Sequence, residues 1–121
     1  MSVFTEAAAG GARFLDSRVP MWFVDVNLET LDLSDCYDCV WGQLAGGVCE
    51  GACYDTVTDR KLPDERFEEV AAKLGLERRL TTDEMAGLGF TLLHGWQMYF
   101  PELTEAWVEE ICRRREAYLI G

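Results

Sequence analysis

The stretch Glu102–Tyr118 constrains the fold more than any other part of the chain. Leu103, Trp107, Ile111, Arg114 and Tyr118 recur at three- and four-residue spacing, with Ala106, Val108 and Cys112 beside them. That period marks a helix with one apolar face. Glu102, Glu105, Glu109 and Glu110 come before Arg113–Arg115, the order that suits the backbone dipole.

The remaining elements are helical by the same signals. Thr5 reads as the cap of a helix to about Ser17, with Phe4, Ala8, Gly11 or Ala12, and Leu15 on one side. The Gly10–Gly11 pair would weaken it by about 1 kcal/mol per residue relative to Ala, unless another helix packs closely there. Pro20 ends that element and suits the first turn of a short helix with Met21, Trp22 and Phe23. Asn27–Leu33 reads as a helical turn rather than a strand, since no partner strand is visible. Ser34 or Asp35 caps a helix through Cys39, Val40, Leu44 and Ala45, stopped by Gly46–Gly47.

Val48–Leu62 is the least regular part. Pro63 opens an amphipathic helix, Asp64–Leu74, with Phe67, Val70, Ala71 and Leu74 as its stripe and Gly75 as its end. Thr81–Glu84 is a capping box for a short helix around Met85, broken by the segment Ala86–Phe90. Thr91–Phe100 is apolar and aromatic, either a helix or a buried connection, and Pro101 resets the chain. At 121 residues and 49% hydrophobic content, the chain can bury about 65% of its unfolded surface without staples. The expected fold is all-α: a compact single domain, residues 1–121, of five or six short helices.

Charge narrows the functions. The net charge is −11, and Val19–Asp59 holds eight acids and no Lys or Arg, against 14 acids and 11 bases elsewhere. Direct nucleic-acid binding needs clustered bases to displace counterions, so it is disfavoured, as are anionic membranes. A basic protein partner is favoured. The acidic positions best placed to meet one are Asp32, Asp35, Asp38 and Glu50. The plainer alternative is a solvated face that keeps the protein soluble. The N-terminal MSVFTEAAAGG lacks a basic segment followed by a long apolar one, so no signal peptide is expected. The expected location is the cytoplasm, with thiols reduced.

Four of the five cysteines, Cys36, Cys39, Cys49 and Cys53, form C-x2-C-x9-C-x3-C. Paired thiolates at short spacing are how four-cysteine zinc sites are built, and an Fe–S cluster would use the same ligands. Against both, Asp35, Asp38, Glu50 and Asp55 surround these thiols, whereas thiolates are favoured near bases. The plainer reading has Cys39 in a helix core and the others as free thiols. No cofactor is expected; zinc belongs to the alternative reading.

His94 is the only histidine and reads as a core or edge residue. Nothing orients a nucleophile or a general base, and no P-loop, GxGxxG, HExxH or EF-hand loop occurs, so no enzyme is expected. Arg113–Arg115 could grip a phosphate; more often such a trio pairs with preceding glutamates. The four tryptophans are expected in the core, and an exposed one would suggest a binding anchor.

Several short fragments are shared with a known group: Leu15-Asp16, Pro20-x-Trp22, Asn27-Leu28, Leu31-Asp32-Leu33, Cys39-Val40-x-Gly42-Gln43-Leu44-x-Gly46, Gly89-Phe90, Leu103-Thr104-x-Ala106-Trp107 and Arg114-Arg115. In these the chain resembles small uncharacterised proteins of actinobacteria and their bacteriophages. The resemblance implies a phage or prophage gene acting in host cytoplasm, and no particular activity. Trp41 stands where that pattern has a smaller aliphatic residue, and Cys49 and Cys53 are outside it. The expected function is a non-enzymatic acidic interaction protein that binds a host protein, with a nucleic-acid mimic as the narrower form. The alternative is a zinc- or Fe–S-binding module built on the cysteine quartet.

Overall fold

Six helices pack around one aromatic core in the computed structural model, which describes residues 3–34, 38–45, 54–55, 60–61, 68, 71–77, 80, 82–93 and 95–120. They are α1 (Val3–Asp16), α2 (Trp22–Asp25), α3 (Val40–Ala45), α4 (described at residues 68 and 71–74), α5 (Thr82–Gly87) and α6 (Phe100–Ile120). A 3₁₀ turn, Gln97–Tyr99, leads into α6. The fold is all-α, and the one extended feature among the described residues is a two-residue antiparallel ladder pairing Tyr54 with Lys61 and Asp55 with Arg60. A ladder so short has no alternation to show in sequence. No helix of the described residues is long and apolar enough to cross a membrane.

The main contact is α1 against α6. α1 buries Ala8, Gly11, Ala12 and Leu15, small residues spaced by three and four. The small side chains let the backbones meet. A Cβ built on Gly11 would lie 2.0 Å from the Leu88 carbonyl oxygen and 2.7 Å from the Trp107 ring. Gly89 sits opposite, at φ 74, where a Cβ would fall 2.7 Å from the Ala7 backbone. Trp107 Nε1 then donates to the Gly89 carbonyl at 2.6 Å. Around Trp107 the rings form a chain: Trp22 edge-on at 5.8 Å, Phe90 stacked at 5.4 Å, and Trp41 against Phe90 at 4.8 Å.

The expected stop at Gly75 is realised, the helix expected to break at Ala86–Phe90 runs on through Gly87, and Gly46–Gly47 lie outside the described residues. Gly75, at φ 65, ends α4 with Leu76 N–H donating to the Ala71 carbonyl; Gly89 ends α5 with Phe90 N–H donating to Met85. Both are the six-to-one bond of a Schellman motif. Phe67 and Val70 of the expected α4 stripe, and Thr81 of the capping box, lie outside the described residues, while Leu74 and Met85 are buried.

Several boundaries differ from the sequence expectation. α1 starts at Val3, ahead of Thr5. α2 starts at Trp22, because Met21 adopts a left-handed conformation (φ 63) and Pro20 lies in the turn before it. α3 begins at Val40 and its cap is Cys39, whose Sγ accepts from Gly42 N–H at 3.1 Å. Ser34 is turned instead into a bend around Asp32 Oδ1. α6 includes Pro101 in its first turn, where a missing N–H costs nothing. Asn27–Thr30 is a turn, closed by Asn27 Oδ1 accepting from Glu29 N–H.

The arginine trio is absorbed by the fold. Arg114 forks onto Asp16 (Nε to Oδ1 3.0 Å, Nη2 to Oδ2 2.9 Å) and also meets Glu110 Oε2 at 2.5 Å. Asp16 Oδ1 accepts from Trp22 Nε1 as well, at 2.9 Å. Arg115 donates to the Phe23 and Val26 carbonyls, tying α2 to α6. Arg113 pairs with the buried Glu110 from a mostly exposed position. Hydrogen bonds from Arg114 hold the Asp16 carboxyl below its ordinary pKa, against the opposing effect of burial, and the same contact raises Arg114.

Trp41 is the exception to this satisfaction. Its Nε1 is the one buried side-chain polar atom of the described residues with no partner. Trp41→Phe is therefore expected to destabilise less than Trp107→Phe, which leaves the Gly89 carbonyl without its donor. The gap should be about 1 kcal/mol or more in urea unfolding; equal losses would contradict this account of the two indoles.

Candidate functional site

Leu31 and Leu33 are buried, which turns Asp32 between them out to solvent. Leu33 N–H is pinned by Thr104 Oγ1 of α6 at 3.0 Å. Asp32 N–H donates to the Asp38 carbonyl at 3.1 Å, so these two carboxylate-bearing residues share one short backbone bridge. Gln43 holds the same bridge from α3: its Nε2 donates to the carbonyls of Asp38 (2.9 Å) and Asn27 (3.2 Å), and its Oε1 accepts from Asn27 N–H (2.6 Å). Asp32 Oδ1 is occupied locally by Ser34 N–H and Oγ. Asp38 is half-buried; Asp35 and Glu50 lie outside the described residues.

Of the cysteine quartet, Cys39 alone falls within the described residues, and it is buried at the start of α3 with its sulfur on Gly42 N–H. Cys36, Cys49 and Cys53 lie outside them. Among the described residues no three His, Cys, Asp or Glu side chains are grouped to hold a metal ion. Cys112, the fifth cysteine, is exposed on α6. His94 lies outside the described residues.

A surface that sequence reasoning placed in the interior is exposed. Trp22, Trp41 and Trp107 are buried, but Trp96 is 51% exposed, with Met98 at 73% and Val3 at 70%. Leu93 and Tyr99 are also exposed. The stretch Thr91–Phe100 is thus neither a continuous helix nor a buried connection. Gly95 at φ 97 redirects the chain, Trp96 N–H closes a turn on the Leu93 carbonyl, and the 3₁₀ turn follows at once. Such tight reversals leave alternate side chains with no facing element.

These side chains form an organised shelf. Trp96 and Tyr99 ring centres are 5.5 Å apart, and Tyr99 stacks on Phe4 of α1 at 5.5 Å. Beside them runs a groove of about 150 Å³, lined by Val3, Phe4, Ala86, Leu93, Trp96 and Leu103 among others. The signal available in sequence was the third of the four tryptophans, Trp96, beside Gly95. A larger cleft, about 460 Å³, lies over Phe14, Leu76, Leu80 and Leu88, with Arg18 and Glu77 on its rim. Arg18 already stacks on Phe14, 4.0 Å from the ring centre, and bonds Ser17 Oγ.

The geometry offers apolar contact and negative charge. Comparison of the chain with protein-family models, with curated proteins and with solved structures finds no match.

Proposed function

We propose that the chain is a non-enzymatic acidic interaction protein that binds a cytoplasmic protein with a basic surface. The observation that carries this reading is the outward Asp32, set between two buried leucines within a 41-residue run that has eight acids and no Lys or Arg. A single-sign surface of that kind raises association rates with a basic partner and rejects acidic ones. The resemblance to actinobacteriophage proteins supports a phage-encoded chain acting on a host protein. A nucleic-acid mimic is the narrower form of the same reading, and it predicts competition with DNA that weakens as salt rises.

The test combines four neutral substitutions, Asp32→Asn, Asp35→Asn, Asp38→Asn and Glu50→Gln, in one chain. A host protein captured by the native chain should associate with this variant about tenfold or more slowly, with a flatter salt dependence. An unchanged association rate would refute the acidic surface as the docking charge.

A further inference from the structure

Resting on the interaction reading, we infer that the shelf around Trp96 holds a basic amphipathic helix of the partner. The shelf is built from side chains of α1, α5, α6 and the 3₁₀ turn. Among the described residues it offers no open strand edge, so an extended peptide would find no backbone ladder to join. An amphipathic helix needs only what is present: an apolar floor that takes side chains repeating at three and four residues.

Charge selects the helix. Residues 80–112, which supply most of the shelf, carry six acids and no Lys or Arg. Three exposed acids stand within one helical turn of shelf residues: Glu6 from Val3, Asp83 from Ala86, and Glu102 from Tyr99. The one base of α1, Arg13, is about 15 Å further along that helix from Val3. An acidic rim around an apolar floor is complementary to lysines flanking a leucine stripe. It also excludes the nearest rival. A second copy seated on its own shelf would bring like-charged rims together across a two-fold contact, which is destabilising.

Three labelled peptides of about 18 residues, roughly five helical turns, provide the probes. One has a leucine stripe flanked by Lys, one the same stripe flanked by Glu, and one a scramble of the Lys peptide. Anisotropy titration into the full chain should show the Lys helix binding at least about tenfold tighter than either control, and weakening with salt. Trp96→Ala and Met98→Ala should each weaken it about tenfold; both side chains are largely exposed, so the fold should survive. Equal binding by the scramble, or an affinity unmoved by Trp96→Ala, would overturn the inference. If the affinity instead falls only in the Asp32/Asp35/Asp38/Glu50 variant, the acidic interaction reading stands and the shelf is not its seat. A dimer in sedimentation that Trp96→Ala abolishes would assign the shelf to a second copy and overturn the proposal.

Discussion

Gly11→Ala should destabilise the protein by about 3 kcal/mol or more, while Gly10→Ala, one residue earlier, should stabilise it by about 0.5–1 kcal/mol. The two positions have the same local sequence and opposite surroundings. At Gly10 a Cβ meets nothing nearer than the flexible tip of Arg13, at 4.0 Å, so the substitution leaves only the gain in helix propensity. At Gly11 the Cβ would sit 2.0 Å from a backbone oxygen and against the Trp107 ring. Neither obstacle is a free side-chain end. Relief requires α1 to withdraw from the α5–α6 connection, which opens the Trp107–Gly89 bond and the ring stack beneath it. Urea unfolding of the two variants reads the difference directly, and losses of similar size would mean that α1 is not packed as described.

The second large effect is at Arg114. Arg114→Met keeps the length and apolar stem of the side chain but removes the fork to Asp16 and the contact to Glu110. Glu110 is only 4% exposed, so it would remain buried with Arg113 as its one pairing cation. Leaving a buried carboxylate short of its partner costs about 3 kcal/mol, whereas Arg113→Met, at a mostly exposed site, should cost less than about 1 kcal/mol. The substitution should also alter the acid limb of stability. The Asp16 carboxyl titrates below its ordinary 3.8 in the folded protein. Its contribution is thus fully present above that value and is lost as pH falls through the lower folded one. Solvent screening keeps that increment small, since the Asp16 side chain is 42% exposed. Unfolding from pH 6 down to pH 2 should show the native chain losing this increment and the Arg114→Met chain lacking it. Parallel pH profiles would count against the Asp16 pairing.

A few long-range polar contacts hold the fold together. Asp16, Trp22 and Arg114 meet in one network; Asn27 and Gln43 clamp each other; Leu33 bonds Thr104; Gly89 bonds Trp107; Arg115 ties down Phe23 and Val26. The shelf residues Val3, Leu93, Trp96 and Met98 take no part in these contacts.

Legibility followed the range of the interaction. The helical period of Leu103, Trp107 and Ile111 and the stop at Gly75 are set within a few residues, and the sequence sufficed for both. The same local reasoning put Tyr118 and Cys112 in or beside the apolar face of α6, where both are exposed, and gave no sign that Glu110 is buried. It counted Thr91–Phe100 as apolar and so as a helix or a buried connection, because hydrophobicity does not say whether anything lies opposite.

Helix identity, helix stops and the sign of the surface were thus determined by the sequence itself, since backbone period, glycine conformation and net charge are local or additive. Which of two adjacent glycines is indispensable, which of four tryptophans faces water, and which of three consecutive arginines anchors the core were decided only in the tertiary structure. Each depends on atoms far apart in the chain: Gly11 on Leu88, Leu33 on Thr104 across 71 residues, and Asp16 on Arg114 across 98.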